Sequence, residues 1–153
     1  MHIDLHAALH FVAAPDAVFA LAVDAKRFPS LFRGYGPIPA LRRITLHGPL
    51  AVGVTRDVEG EDGVVMLETV TAFDSGRRHD YTLARLRPPL SWLVRVGHAD
   101  WTFTLREGGT DVVWRYRFEL TTPLVWPIAA PLLKVFMQGA MRRCLAAMAQ
   151  AHA

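Results

Sequence analysis

An α+β domain, in which an antiparallel sheet curves around one long C-terminal helix, is the fold class this sequence predicts. Three observations carry it. First, Ala99, Trp101, Phe103 and Leu105 alternate with polar neighbours, and Val112, Trp114, Tyr116, Phe118 and Leu120 do the same against Asp111, Arg115, Arg117 and Glu119. Period two over this length marks half-buried antiparallel strands, because successive side chains leave opposite faces of a sheet. Second, Gly108-Gly109 stands between the two runs and suits a two-residue hairpin turn, which would pair Leu105 with Val112, Phe103 with Trp114 and Trp101 with Tyr116. Third, residues 125 to 151 form the one long helical stretch, and a strand face with this much aromatic area needs a partner of that size.

The remaining elements follow in chain order. Ile3, Leu5, Ala7, Leu9 and Phe11 alternate with His2, Asp4, His6 and His10, which predicts a first strand over residues 2 to 12. Pro15 suits the first turn of a helix. Val18, Phe19, Ala22 and Val23 make its apolar stripe, and Asp24, Lys26 and Arg27 close it before Phe28-Pro29. Two glycines and two prolines between Ser30 and Leu41 allow a short helical turn and a bend, so one or two short helices follow the first strand. Strands are expected at residues 42 to 47 and 51 to 59. Gly60-Glu61-Asp62-Gly63-Val64 then fits a three-residue hairpin loop with Gly63 left-handed, placing Val58 opposite Met66 and Arg56 opposite Glu68. A turn at Asp74-Ser75-Gly76-Arg77 would pair Ala72 with His79, Val70 with Tyr81 and Glu68 with Leu83. Arg87-Pro88-Pro89 ends that strand, and residues 90 to 97 read as a strand extension or rim. In the last helix Leu133, Phe136, Met137, Ala140, Cys144 and Met148 supply the inward stripe, leaving Lys134, Gln138, Arg142 and Arg143 for water or the cavity rim.

Size and composition narrow the function. The 153 residues suit one domain, residues 1–153. A net charge of +3 is spread over separate pairs, Arg42-Arg43, Arg77-Arg78 and Arg142-Arg143, with no basic stripe, so no nucleic-acid partner is expected. Cys144 is the sole cysteine, which rules out an internal disulfide and a multi-cysteine zinc site. His2, His6 and His10 share one strand face at a spacing of four. Neighbours would then stand about 13 Å apart at 3.3 Å per residue, whereas one zinc ion needs ligands at about 2 Å. No metal and no other cofactor is expected. The start MHIDLHAALHF lacks a basic leader, and Pro123 to Met137 is too short and too proline-rich to span a bilayer. The expected location is cytoplasmic, with at most transient membrane contact.

The element order resembles the START-like helix-grip superfamily, and within it the polyketide cyclase/dehydrase-type proteins. The resemblance rests on Phe11 through Phe19, on Asp24 to Phe28-Pro29, on Glu68-Thr69-Val70-Thr71 and on Arg77-Arg78. It continues through Trp101-Thr102-Phe103 and Gly108-Gly109-Thr110-Asp111-Val112-Val113-Trp114. The resemblance implies a seven-stranded antiparallel sheet wrapped around the C-terminal helix, with an apolar cavity between them. It implies binding of a lipid, a quinone or a polyketide, and in a minority of members cyclisation, dehydration or hydrolysis. No catalytic motif carries over residue by residue.

The two turn assignments build one inner face, on which Arg56, Glu68, His79 and Tyr81 stand among Val52, Val54, Val58, Met66, Val70, Ala72 and Leu83; Arg85 continues the parity. An apolar pocket with a few polar groups suits a small-molecule site. Its expected ligand-binding residues are Arg56, Glu68, Val70, His79, Tyr81, Arg85, Trp101, Phe103, Trp114, Tyr116 and Met137. His79 and Tyr81 are the candidates for acid–base work if the protein is a cyclase or dehydratase. Gly34, Tyr35 and Gly36, glycines flanking an aromatic, are a candidate cavity gate. The leading expectation is a binder of an apolar, ring-bearing molecule. An enzyme and an interaction module acting through the 123–137 stretch stand as alternatives, and exposure of Trp126 and Phe136 would favour the last.

Overall fold

A computed structural model describes residues 1–152. Seven antiparallel strands form one sheet: β1 (His2–Phe11), β2 (Leu41–Leu46), β3 (Thr55–Gly60), β4 (Val65–Asp74), β5 (Arg78–Ala84), β6 (Val94–Arg106) and β7 (Gly109–Leu120), in the spatial order β1-β7-β6-β5-β4-β3-β2. Between β1 and β2 lie two short helices, α1 (Pro15–Ala22) and α2 (Phe28–Leu31). A third, α3 (Leu90–Leu93), precedes β6. The C-terminal helix begins with a 3-10 turn (Pro123–Val125), runs through α4 (Trp126–Pro131) and a π-helical stretch (Leu132–Met137), and ends as α5 (Gln138–Ala151). This is the helix-grip α+β fold.

The core is what the alternation demands. Ile3, Leu5, Ala7 and Phe11 of β1, Trp101 and Phe103 of β6, and Val112, Trp114, Tyr116, Phe118 and Leu120 of β7 point inward and meet Ala140, Met141, Cys144, Leu145 and Met148 of α5. Trp101 stacks on Trp114 with ring centroids 4.2 Å apart. The helix lies nearest β1, so the inner face of β3 to β5 is covered instead by α1, α2 and the linker between them. That division positions the candidate site.

Several expectations need correction. The β6–β7 turn is Glu107-Gly108, not Gly108-Gly109, so Phe103 faces Val112, Trp101 faces Trp114 and Ala99 faces Tyr116. Gly109 is needed inside the strand: a Cβ there would collide with the Phe11 carbonyl oxygen of β1. A slip of two residues keeps side-chain parity, so the inner face survives. In the β4–β5 hairpin Val70 faces Tyr81 and Glu68 faces Leu83 as expected, but a bulge between Val70 and Ala72 sets Phe73, not Ala72, opposite His79. One extra residue reverses parity beyond a bulge. Phe73 therefore packs inward on Phe19, with centroids 5.5 Å apart. β3 starts at Thr55 rather than residue 51, and Val52 is exposed. The segment after Pro89 opens with a helix, not a strand. α1 ends at Ala22, because Asp24 turns to accept hydrogen bonds from the backbone N–H groups of Lys26 and Arg27. In the last helix Phe136 and Met137 are only half-buried. The β3–β4 loop needs no correction: Arg56 faces Glu68, Val58 faces Met66, and Gly63 has φ +82.

Candidate functional site

Four polar side chains sit on the buried face of three adjacent strands. Arg56 comes from β3, Glu68 from β4, and His79 and Tyr81 from β5; each is at most 7% exposed. The Arg56 Nε donates to Glu68 Oε1 at 2.7 Å, and an Arg56 terminal nitrogen donates to His79 Nε2 at 3.1 Å. A guanidinium carries donors only, so His79 Nε2 must accept and the imidazole proton resides on Nδ1. That Nδ1 is buried and has no partner among the described residues. The Arg56 guanidinium also lies 4.8 Å from the Tyr81 ring centroid. Trp101 Nε1 donates to the Tyr81 hydroxyl at 3.3 Å.

Burial and the local charges set the protonation states. Burial, seconded by the Arg56 charge, pushes His79 down to about 3, so it is neutral over the physiological range. Burial raises the Tyr81 hydroxyl, helped by Glu68, and raises Tyr116 with help from Tyr81. For Glu68, burial pushes the carboxyl above the ordinary range while Arg56 pulls it back. Burial works most strongly against the Arg56 charge too, but Glu68 together with Tyr81 and Tyr116 more than offsets it, and the guanidinium is held above its ordinary value. A 2.7 Å contact with a group that stays protonated keeps Glu68 ionised at neutral pH.

Above this cluster lies a cavity of about 20 Å³, room for one water molecule. Its floor is Arg56, Glu68, His79, Tyr81 and Trp101; its roof is Ala22 at the end of α1, the linker residues Val23 to Ala25, Phe28 of α2 and β2 residues Leu41 and Ile44. Sequence reasoning missed that roof. Ile44 could have been found, since it faces Val58 and shares its parity. The linker carries no such periodicity.

Of the other expected site residues, Val70, Phe103, Trp114 and Tyr116 are buried neighbours that do not border this cavity. Trp114 stacks behind Trp101, and its indole N–H has no partner among the described residues. Met137 lies on the π-helical stretch, away from the cluster. Arg85 is past the end of β5 with φ +56 and is exposed, not on the inner face. Tyr35 is clasped between Phe136, with centroids 5.6 Å apart, and the Arg143 guanidinium, 3.9 Å from its ring centroid. Gly34 and Gly36 both take positive φ beside it. This segment locks onto the C-terminal helix and does not line the cavity.

A second, larger hollow of about 990 Å³ opens on the outer face of the sheet, lined by Asp4, His6, Asp80, Asp100, Arg115 and Arg117 among others. It is an open polar surface whose charges are largely paired, as in Arg117 with Asp4 at 2.8 Å and Arg115 with Asp100 at 3.6 Å. His2, His6 and His10 lie on this face, and no group of three metal-ligating side chains gathers among the described residues.

Comparison with known proteins matches residues 2–153 to the family described as polyketide cyclase / dehydrase and lipid transport. Among solved structures, the di-domain aromatase/cyclase StfQ from the steffimycin biosynthetic pathway is similar at 16% identity, TM-score 0.76, over 98% of this chain and 50% of that one. Truncated norcoclaurine synthase from Thalictrum flavum is similar at 15% identity, TM-score 0.74, over 99% and 93% of the two chains. A protein from Thermus thermophilus is similar at 17% identity, TM-score 0.73, over 97% and 95%. At these identities the likeness is one of fold. No curated protein matched the chain.

Proposed function

The chain belongs to the polyketide cyclase / dehydrase and lipid transport family, and from that premise we propose that it binds a ring-bearing apolar molecule with one oxygen-bearing end. The observation that carries this reading is the buried Glu68–Arg56–His79 chain bordering a cavity walled by Tyr81, Trp101 and Phe28. A polar end would meet the guanidinium edge, and the ring would meet the aromatic wall. Recognition is favoured over proton transfer because acid–base catalysis works best with a group poised near the operating pH. His79 is held neutral down to about 3, and the Tyr81 and Tyr116 hydroxyls are held above their ordinary range. The present cavity has room for one water only, so a ring must displace the α1–α2 linker outward. That linker is short, its backbone bonds run to the adjoining helical segments (Val23 N–H to Phe19 O, Phe28 N–H to Asp24 O), and Phe28 just after it meets the floor only through its side chain on Trp101, with centroids 5.9 Å apart.

The test is a pair of thermal-shift titrations, one with a phenolic or carboxylate-bearing aromatic and one with its plain hydrocarbon analogue. A ligand that binds only the native state raises the melting temperature by mass action. The double variant Arg56→Met/Glu68→Leu avoids an orphaned buried charge. It should lose the shift from the polar compound and keep that from the hydrocarbon. If both shifts persist, the pair is structural and the site lies elsewhere.

A further inference from the structure

One end of the molecule carries a concentration of apolar surface that the cavity does not explain. Trp92 of α3 is 68% exposed; α3 packs against α4, and along that C-terminal helix Leu124 is 87%, Trp126 45%, Ile128 65% and Val135 52% exposed. The two elements are tied together: the Thr121 hydroxyl donates to the Trp92 carbonyl at 2.7 Å, and the Thr121 N–H donates to the Leu93 carbonyl at 3.0 Å. Single exposed apolar residues are ordinary, but a contiguous set marks a contact surface.

The charges say what contacts it. Residues 81–99 and 120–153 contain no aspartate or glutamate; their charged residues are Arg85, Arg87, Arg95, Lys134, Arg142 and Arg143. Arg85 and Arg87 lead directly into α3 and are exposed, and Lys134 is exposed on the C-terminal helix next to Val135. The nearby Glu119 is engaged by Arg95 and His98. Glu61 and Asp62 are at the same end but on the β3–β4 hairpin, beyond the edge of β5, and Glu61 pairs with Arg42. We propose that this face docks on an anionic lipid bilayer, with Trp92, Leu124, Trp126 and Ile128 entering the headgroup boundary and Arg85, Arg87 and Lys134 facing lipid phosphates. Tryptophan suits that boundary because it pairs a large apolar ring with one N–H donor. Basic side chains near an anionic surface add attraction that salt weakens. A second copy of the chain fits worse, because a two-fold contact would set the same arginines against each other.

The chain lies on the bilayer and does not span it. The helix Pro123–Ala151 is long and apolar enough to cross a membrane, but Ala140, Met141, Cys144, Leu145 and Met148 are already buried in the core. The proposal is independent of the ligand reading, since none of its residues borders the cavity.

The experiment is co-sedimentation of the full chain with vesicles of phosphatidylcholine alone and of phosphatidylcholine mixed with phosphatidylserine, at low and high salt. Binding should appear with the anionic vesicles and fall as salt rises. Trp92→Glu/Trp126→Glu should weaken it roughly tenfold or more, and Arg85→Glu/Arg87→Glu should abolish the dependence on phosphatidylserine. Leu105→Glu, on an equally exposed apolar residue at the opposite hairpin tip, should leave it unchanged. Melting temperatures near wild type would show that the variants fold. Equal binding by all variants, or no binding to anionic vesicles, overturns the proposal. So does a dimer in light scattering that Trp126→Glu dissociates while vesicles stay unbound.

Discussion

His79 is the residue whose unprotonated Nε2 ties β5 into the buried cluster. Arg56 holds its Nε2 as an acceptor, and burial keeps the ring neutral down to about 3. In the unfolded chain a histidine takes up a proton near pH 6.5. Its depressed folded value therefore contributes stability that is present above about 6.5 and lost progressively as the pH falls towards 3, at about 1.4 kcal/mol per pH unit. Urea denaturation from pH 7 to pH 4 should show His79→Gln with a shallower loss than wild type, by one proton's worth of slope. Equal slopes would mean the imidazole titrates normally. Arg56→Met alone leaves Glu68 buried and unpaired, and should cost about 3–5 kcal/mol. The double variant with Glu68→Leu should regain most of that in the same denaturation assay. This facing pair was legible from sequence, because Gly63 fixes the β3–β4 loop and the loop fixes the register. The link from Arg56 to His79 was not, since it joins β3 to β5 across an intervening strand.

At the scale of the element, the β6–β7 hairpin accepts strain at one residue to satisfy another. Glu107 takes φ +51 so that Gly109, which could have carried the turn, can let β1 approach. A side chain in the left-handed region costs about 1–2 kcal/mol relative to glycine, and asparagine-glycine is a favoured pair for such a two-residue turn. Glu107→Asn should therefore raise the melting temperature, with a gain of about 0.5–1 kcal/mol. Gly109→Ala should do the reverse, and more strongly, because its Cβ meets backbone that belongs to another strand. Both are read by calorimetry. The alternation that marked β6 and β7 is local and was readable, whereas the choice of turn residue depended on β1, about a hundred positions earlier in the chain. The bulge in β4 has the same character: it brings Phe73 inward to meet Phe19 of α1, a partner far off in sequence.

Across the whole molecule the C-terminal helix supplies much of the core's closure, and Cys144 reports on it. The thiol is fully buried and burial pushes its pKa up. In the folded protein it should resist a disulfide reagent at pH 8 and react only as fast as the chain unfolds. Fast labelling in the native state would mean that the helix detaches from the sheet. The molecule divides its surfaces by role. The inner face of β3 to β5 holds a small polar cavity, the outer face a paired charge lattice, and the α3–α4 end an unpaired apolar patch with basic flanks. Ligand-dependent melting and vesicle binding can therefore fail separately.

Local signals along the chain suffice for the strand pattern, the order of elements, the grip of a sheet on a terminal helix and the inward set Arg56, Glu68, His79 and Tyr81. These follow from period-two and period-3.6 alternation and from turn chemistry, which act over a few residues. The tertiary structure alone decided which elements roof the cavity, how small that cavity is, and that Arg85 and the Tyr35 segment lie away from it. It also brought α3, which carries the exposed Trp92, against the start of the C-terminal helix, which carries the exposed Trp126. Those outcomes depend on how elements distant in sequence fill one another's space, and no local pattern encodes that.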